Sequence, residues 1–333
     1  MSPVTIAIFL VIGLTASAMI GPRVLQQAAP ALMRVPRLAI TLLTGTVVTW
    51  VLALLALGPM LAWGITGPTV LPGGVAQVCQ QCLAAANPFT SKPIETMVPI
   101  ALLVFLPAIA AIFHAVMVVR ELKKRRRNTL RSAFELKTRG VIKQFYGHRV
   151  LVTKSNDAFA LALPRRYGGI VVSTAALGIL AKEELEAVLA HEQAHIRQHH
   201  HLVTGFVTSL IQQLRWVPLL AAIEGALTHY VEIAADDAAR RTVGTPALAS
   251  ALLALSRNHD FIHETEKLHG ALHIIDGRTR GLGPDRVRRI VHPRKGMAGV
   301  IWVMASFCCL AFLVVLSAAV HVPYAVATIS GCV

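Results

Sequence analysis

The chain has 333 residues, of which 55% are hydrophobic and only 15% are charged, and its formal net charge is +15 at pH 7. This composition excludes an ordinary soluble globular enzyme, in which about 25% of the residues are charged. The length still leaves room for a catalytic domain with a core of its own beside membrane-spanning segments.

Four apolar stretches account for the excess hydrophobicity, and we predict that each crosses a membrane as a helix. They cover about 4–20, 38–63, 98–119 and 297–320, which are lengths near the ~20 residues that span a bilayer. None of them contains Asp, Glu, Lys or Arg, each of which costs about 2.5–3.5 kcal/mol at the centre of an inserted helix. No basic residue precedes the first stretch, which favours a retained helix over a cleaved signal peptide.

The basic residues between these stretches predict the orientation. Arginine and lysine dominate the loops after the first and third stretches and before the fourth. By contrast, the charged residues of the loop at about 64–97 are only Lys92 and Glu95. The positive-inside rule then predicts a multi-pass protein of the plasma membrane with its N-terminus outside and residues 120–296 in the cytoplasm. The fourth helix and a short extracytoplasmic tail are expected at 297–333.

The basic run at 123–127 lies directly beside the third membrane stretch. That position indicates contact with anionic lipid heads of the bilayer, and it argues against direct binding of nucleic acid. Cys79, Cys82 and Cys332 fall on the predicted outer side, where a disulfide can persist. Their pairing stays open, and the chain is compatible with a homo-oligomer.

Residues 120–296 have the composition of a soluble domain, and we predict an α+β fold for them. Short apolar runs at 149–153, 158–163 and 169–173 predict a small β-sheet, whose exposed edge is hypothesised to hold the substrate backbone as an added strand. A further apolar stretch at 203–222 is interrupted by polar residues. It favours one buried or interfacial helix, with a re-entrant membrane segment as the alternative.

The most specific feature is the H-E-x-x-H motif formed by His191, Glu192 and His195. Its surroundings favour a helix, because an acidic turn precedes it and apolar residues recur at helical spacing. Positions four apart share one helix face, so both imidazoles can reach one metal ion, while the intervening carboxylate can contact water. We predict one Zn²⁺, held by His191 and His195, with Glu192 as the catalytic acid and base.

Zinc peptidases require a third protein ligand, and Glu232 is our prediction for it. It follows the second motif histidine by 37 residues, and a carboxylate on a later helix is a common third ligand in H-E-x-x-H enzymes. Asp236 shares the same helix face four residues on, where it could accept a hydrogen bond from a ligating histidine. The competing interpretation is that both carboxylates line a solvated helix face.

A second candidate for the third ligand is His201, ten residues after His191. That offset belongs to enzymes in which a glycine turns the chain after the second histidine, and here the position is Gln198. Without that turn we expect the helix to continue and to carry His201 away from the metal. We therefore expect His199, His200 and His201 to be surface residues.

Together these motifs resemble the BlaR/MecR-type antirepressor membrane metallopeptidases, and the resemblance covers the whole chain. It implies a gluzincin-like zinc domain between three membrane helices and a fourth, and a transcriptional repressor as the protein substrate. It also implies His191, His195 and Glu232 as ligands. This chain departs from the family pattern near position 200, where an acidic residue is usual and histidines stand instead. Sensory members of the family also carry a large extracellular domain after helix four, whereas we expect only the short tail here.

The motif is similar to that of HtpX-like membrane proteases as well, which would imply membrane-protein quality control in place of repressor cleavage in signal transduction. A second alternative is a non-catalytic signalling scaffold that keeps the zinc domain only as a fold.

Overall fold

A computed structural model describes residues 3–66, 100–257 and 299–329 of the chain. The described part is mostly helical with one small mixed sheet, in agreement with the predicted fold class. Its helices are α1 Pro3–Leu32, α2 Pro36–Thr66, α3 Ile100–Arg139, α4 Thr174–Ile179, α5 Lys182–Arg197, α6 His200–Ile211, α7 Pro218–Val243, α8 Thr245–Arg257 and α9 Val300–Ile329. Its strands are β1 Gly140–Phe145, β2 His148–Thr153, β3 Ala160–Ala162 and β4 Ile170–Ser173. Cys79, Cys82 and Cys332 lie outside the described residues.

Within the described ranges four helices, α1, α2, α3 and α9, are long and apolar enough to cross a membrane, in agreement with the predicted number. Three of them, α1, α3 and α9, continue well beyond the apolar stretches. Helix α3 runs through the whole basic segment to Arg139, because Lys, Arg, Glu and Leu favour helix and no glycine or proline occurs between Pro107 and Gly140. The predicted boundary at residue 120, between the third membrane stretch and the cytoplasmic domain, therefore falls inside one continuous helix. The domain boundaries stay a prediction.

The sheet has the strand order β1-β2-β4-β3. Strand β2 pairs antiparallel with β1 and parallel with β4, and β3 pairs antiparallel with β4, Ala160 lying opposite Val172. Three of the strands correspond to the predicted apolar runs, whereas β1 was not anticipated because it neither alternates with period two nor forms a long apolar run. Val150 and Val172 of the sheet form one core with Leu189 of α5, so the sheet fixes the position of the motif helix.

The prediction of one helix over 203–222 is wrong, because α6 and α7 form a helical hairpin there. A 3-10 turn at Gln212–Leu214 ends α6, and Pro218 opens α7 at a position where its missing N–H costs no hydrogen bond. At the hairpin's end Arg215 pairs with the buried Glu224, Nη2 and Oε1 being 2.6 Å apart.

The α6–α7 hairpin packs directly on the first two apolar helices. Leu10 of α1, Val47 of α2, Ile211 of α6 and Leu220 of α7 are all fully buried in one continuous core. Close van der Waals packing of these apolar side chains joins the elements, since apolar helices inside a bilayer gain no hydrophobic driving force from one another. The helix that carries Glu232 is therefore anchored on the apolar helices of the protein.

Candidate metal centre

Helix α5 places the motif between the sheet and α7. Glu184 caps its first turn, because the carboxylate accepts hydrogen bonds from Ser250 Oγ and, at 2.9 Å, from the Ala181 N–H. These two bonds, the one from Ser250 being the stronger influence, lower the pKa of Glu184. The apolar face of α5 faces the sheet through Leu185 and Leu189, which turns the motif histidines toward α7.

The structure brings together the three residues predicted to bind metal. Nε2 of His191 lies 3.1 Å from Nε2 of His195. Nε2 of His191 lies 3.5 Å from Oε2 of Glu232, and Nε2 of His195 lies 3.5 Å from Oε1 of the same carboxylate. Among the described residues, this trio is a group whose ligand atoms converge closely enough to hold an ion, whereas His201 is not part of it.

The spacing of these donor atoms fits zinc. With bonds of about 2.0–2.1 Å, tetrahedral geometry places two ligand atoms about 3.3 Å apart. The two nitrogens are 3.1 Å apart, and each lies 3.5 Å from a different carboxylate oxygen, so each of these distances is close to that value. One ligand atom from each residue lies within 4.8 Å of the other two. Two imidazoles and one carboxylate are also a ligand set that catalytic zinc sites use, with the fourth position left for water.

Asp236 lies behind the first histidine. Its Oδ1 is 3.0 Å from Nδ1 of His191, and the side chain is almost fully buried. A proton on Nδ1 leaves the lone pair of Nε2 free to bind metal. The contact therefore selects the tautomer that coordination requires and orients the ring.

Glu192 follows His191 directly on α5 and is partly exposed. A carboxylate that water can reach is what the predicted acid and base role requires. The role itself stays a prediction.

The expectation that all three histidines at 199–201 lie on the surface is wrong for His200. Its side chain is only 2% exposed, and its Nδ1 lies 3.1 Å from Nδ1 of His195. Burial and the neighbouring His195 lower the pKa of His200 to about 3, so its ring is neutral at physiological pH.

The expectation that the motif helix continues past Gln198 is also wrong. Helix α5 ends at Arg197, and the chain turns at His199. This residue has a left-handed backbone, with a φ of 53°, although it is not a glycine. Helix α6 then starts at His200. Such a backbone costs about 1–3 kcal/mol for a residue with a side chain. Because histidine therefore rarely adopts it, the residue type at position 199 does not indicate a turn. A short polar run ending a helix was the one available signal.

The charge state of His191 predicts that zinc binding tightens as the pH rises. Burial lowers the pKa of His191, but hydrogen bonds and charge from Asp236 and Glu232 outweigh burial and raise it to about 10. The metal-free protein therefore holds a proton there at neutral pH, and zinc must displace it. We expect the zinc affinity, measured by chelator competition, to rise by up to about tenfold per pH unit between about pH 6.5 and 8.5.

The same proton stabilises the metal-free fold, and this contribution is fully present below pH 6.5 and lost as the pH rises through about 10. In Asp236→Asn the pH dependence of zinc affinity should be shallower, since a cause of the raised pKa is removed. An affinity that stays flat over this range in the unmodified protein would contradict the assignment.

Comparison with known proteins agrees with this geometry. Residues 123–265 match peptidase family M48. The chain is 27% identical over 135 residues to a protease HtpX homolog of Thermodesulfovibrio yellowstonii, a match that covers 30% of this chain and 48% of the relative. The chain thus spans about half the length of the curated relative it matches, and no solved structure matches it. The match of residues 123–265 to peptidase family M48 confirms the predicted resemblance to membrane metallopeptidases of the BlaR/MecR and HtpX kind.

Proposed function

We propose that this chain is an integral membrane zinc endopeptidase that hydrolyses peptide bonds of protein substrates at the cytoplasmic face of the plasma membrane. The observation that carries the proposal is the convergence of His191, His195 and Glu232 at separations of 3.1 to 3.5 Å. The M48 match over 123–265 supports the peptidase activity, and the four apolar helices support the membrane setting.

In this mechanism His191, His195 and Glu232 hold one zinc ion. When bound, zinc supplies Lewis acidity, which polarises the scissile carbonyl and lowers the pKa of water toward ~7. Glu192 accepts the proton that water gives up as its oxygen bonds to the carbonyl carbon. Glu192 then delivers this proton to the amide nitrogen as the C–N bond breaks, so that the amine leaves neutral.

The position of Glu232 along α7 supports hydrolysis outside the apolar layer. At the start of α7, Leu219 touches Gly21 of α1, where an added Cβ would come within 2.6 Å of its Cδ1. Gly21 follows the end of the first apolar stretch, and the first charged residue of the chain is Arg23. Glu232 lies thirteen residues beyond Leu219, which is about 20 Å along a helix. This part of α7 lies near the charged start of the second apolar stretch, because Gln198 donates to the Ala234 carbonyl and accepts from Arg37. The reaction would then take place in water close to the membrane surface.

For the substrate we propose a transcriptional repressor, as the resemblance to the BlaR/MecR-type peptidases implies. The match to a protease HtpX homolog favours a second candidate, the cleavage of damaged membrane proteins. The two functions differ in substrate class, and the same experiment separates them.

The test is a substrate trap in the native host. Glu192→Gln should keep the metal and the bound substrate but lose turnover, so its substrates should accumulate on the purified protein. One or a few DNA-binding proteins, identified by mass spectrometry, would support repressor cleavage, and many unrelated membrane proteins would support quality control. The control is Glu192→Gln combined with His191→Ala, in which zinc binding is also lost. If wild type and Glu192→Gln retain the same proteins in the same amounts, the chain acts as a scaffold and the peptidase proposal fails.

A further inference from the structure

His200 makes a contact for which the proposed catalytic reaction has no use. It is the first residue of α6, and the left-handed turn at His199 folds α6 back so that the imidazole reaches His195. Their rings meet edge to face, with centroids 4.9 Å apart and the two Nδ1 atoms 3.1 Å apart. The other ring nitrogen, Nε2, is buried and has no hydrogen-bond partner among the described residues, so the contact with His195 is the one that orients this ring.

The direction of this hydrogen bond follows from the metal site. Nε2 of His195 faces His191 and Glu232, so metal binding requires a lone pair there and places the ring proton on Nδ1. His195 Nδ1–H then donates to Nδ1 of His200, which must be the unprotonated nitrogen of a neutral ring. His200 cannot itself be a ligand through this nitrogen, because the contact lies on the side of His195 opposite to the ligand atoms.

We propose that His200 is a positioning residue of the zinc centre, which accepts the Nδ1 proton of His195 and so fixes both the tautomer and the orientation of that ligand. The inference rests on the proposed metal site but not on peptidase activity. The two ligating histidines then have different hydrogen-bond acceptors for their ring protons. His191 faces the carboxylate of Asp236, and His195 faces a neutral imidazole. A neutral acceptor raises the basicity of a ligand less than an anion does.

The test compares zinc affinity in substitutions of nearly equal shape, measured on the full-length protein in detergent by chelator competition. His200→Asn keeps an acceptor oxygen where Nδ1 now stands, and His200→Leu fills a similar volume without one. We expect His200→Leu to bind zinc about 10–100-fold more weakly, and His200→Asn to stay within about threefold of the wild type. His200→Asp should bind at least as tightly as the wild type, because a carboxylate accepts the same proton and adds a negative charge.

Two further measurements distinguish positioning from a loss of folding. The unfolding temperature of each metal-free variant reports the fold alone. The visible absorption of the cobalt-substituted protein reports ligand geometry, and it should change in His200→Leu and be restored in His200→Asn. The matched control is His201→Leu, which removes a histidine whose ring neighbours His199 and should leave both readouts unchanged.

The proposal is overturned if His200→Leu binds zinc as tightly as the wild type, or if His200→Asn and His200→Asp lose as much affinity as His200→Leu. If the wild type itself binds no zinc, the proposed function fails as well. If the wild type binds zinc and all His200 variants bind it with the same affinity, the role of His200 is refuted and the proposed function is not.

Discussion

Replacing Glu192 with glutamine is expected to reduce peptide-bond hydrolysis by about 10²–10⁴-fold, the usual contribution of a general acid and base, while the bound zinc stays at one ion per chain. Glutamine keeps the size of the side chain but cannot accept a proton from water. Because the metal ligands are unchanged, the loss should appear in kcat with little change in KM. The assay would follow cleavage of a labelled unstructured protein such as casein by the detergent-purified chain.

The control for this variant is Glu183→Gln, on the exposed first turn of the same helix α5, whose activity should stay within about twofold of the wild type. Normal turnover in a zinc-loaded Glu192→Gln protein would refute the assigned role. It would leave the metal site itself untouched, because zinc content is measured separately.

Replacing Glu232 with alanine is expected to weaken zinc binding by about 10²–10³-fold. Structural zinc sites with four ligands bind with about 10–16 kcal/mol, so that one ligand corresponds to roughly 3–4 kcal/mol. The variant should also lose the rise in unfolding temperature that zinc gives the wild type, because this carboxylate on α7 would link the metal to α5. Zinc titration followed by thermal unfolding measures both effects on the same sample.

Asp237→Asn is the matched control, since it removes a carboxylate from the same helix that is paired with Arg240 at 3.8 Å. It should bind zinc normally. If Glu232→Ala also binds zinc normally while His201→Ala loses it, the third ligand is His201 and the assignment of Glu232 is wrong.

The chemistry of the site could be predicted because it depends on spacing along single helices. The separation of four positions from His191 to His195 places both on one face of any helix, whatever the rest of the fold. The same period predicted that Asp236 would share a face with Glu232. The four membrane helices were predictable for a similar reason, since length and the absence of charge decide whether a segment can cross a bilayer.

The approach of Glu232 to the motif could be expected, but spacing along the chain does not establish it. It depends on α7 packing beside α5, where Ala187 and Val188 of α5 share a core with Ala239 of α7. The strand β1 was missed for a different reason, because Val141 and Ile142 are followed by Lys143 and Gln144, so the segment neither alternates with period two nor forms an apolar run long enough to indicate a strand. The hairpin of α6 and α7 resembles one helix in sequence, since apolar composition continues across the turn.

The sequence by itself determined which residues are predicted as ligands and as the acid and base, because these predictions follow from residue type and helical period. Only the tertiary structure decided what supports them. The clearest case is His200, which looks like one residue of an exposed polar run until a left-handed turn at His199 brings it to 3.1 Å from His195. A backbone conformation that L-residues rarely adopt is held by contacts distant in sequence. The pattern of residue types around His200 therefore does not predict its contact with His195.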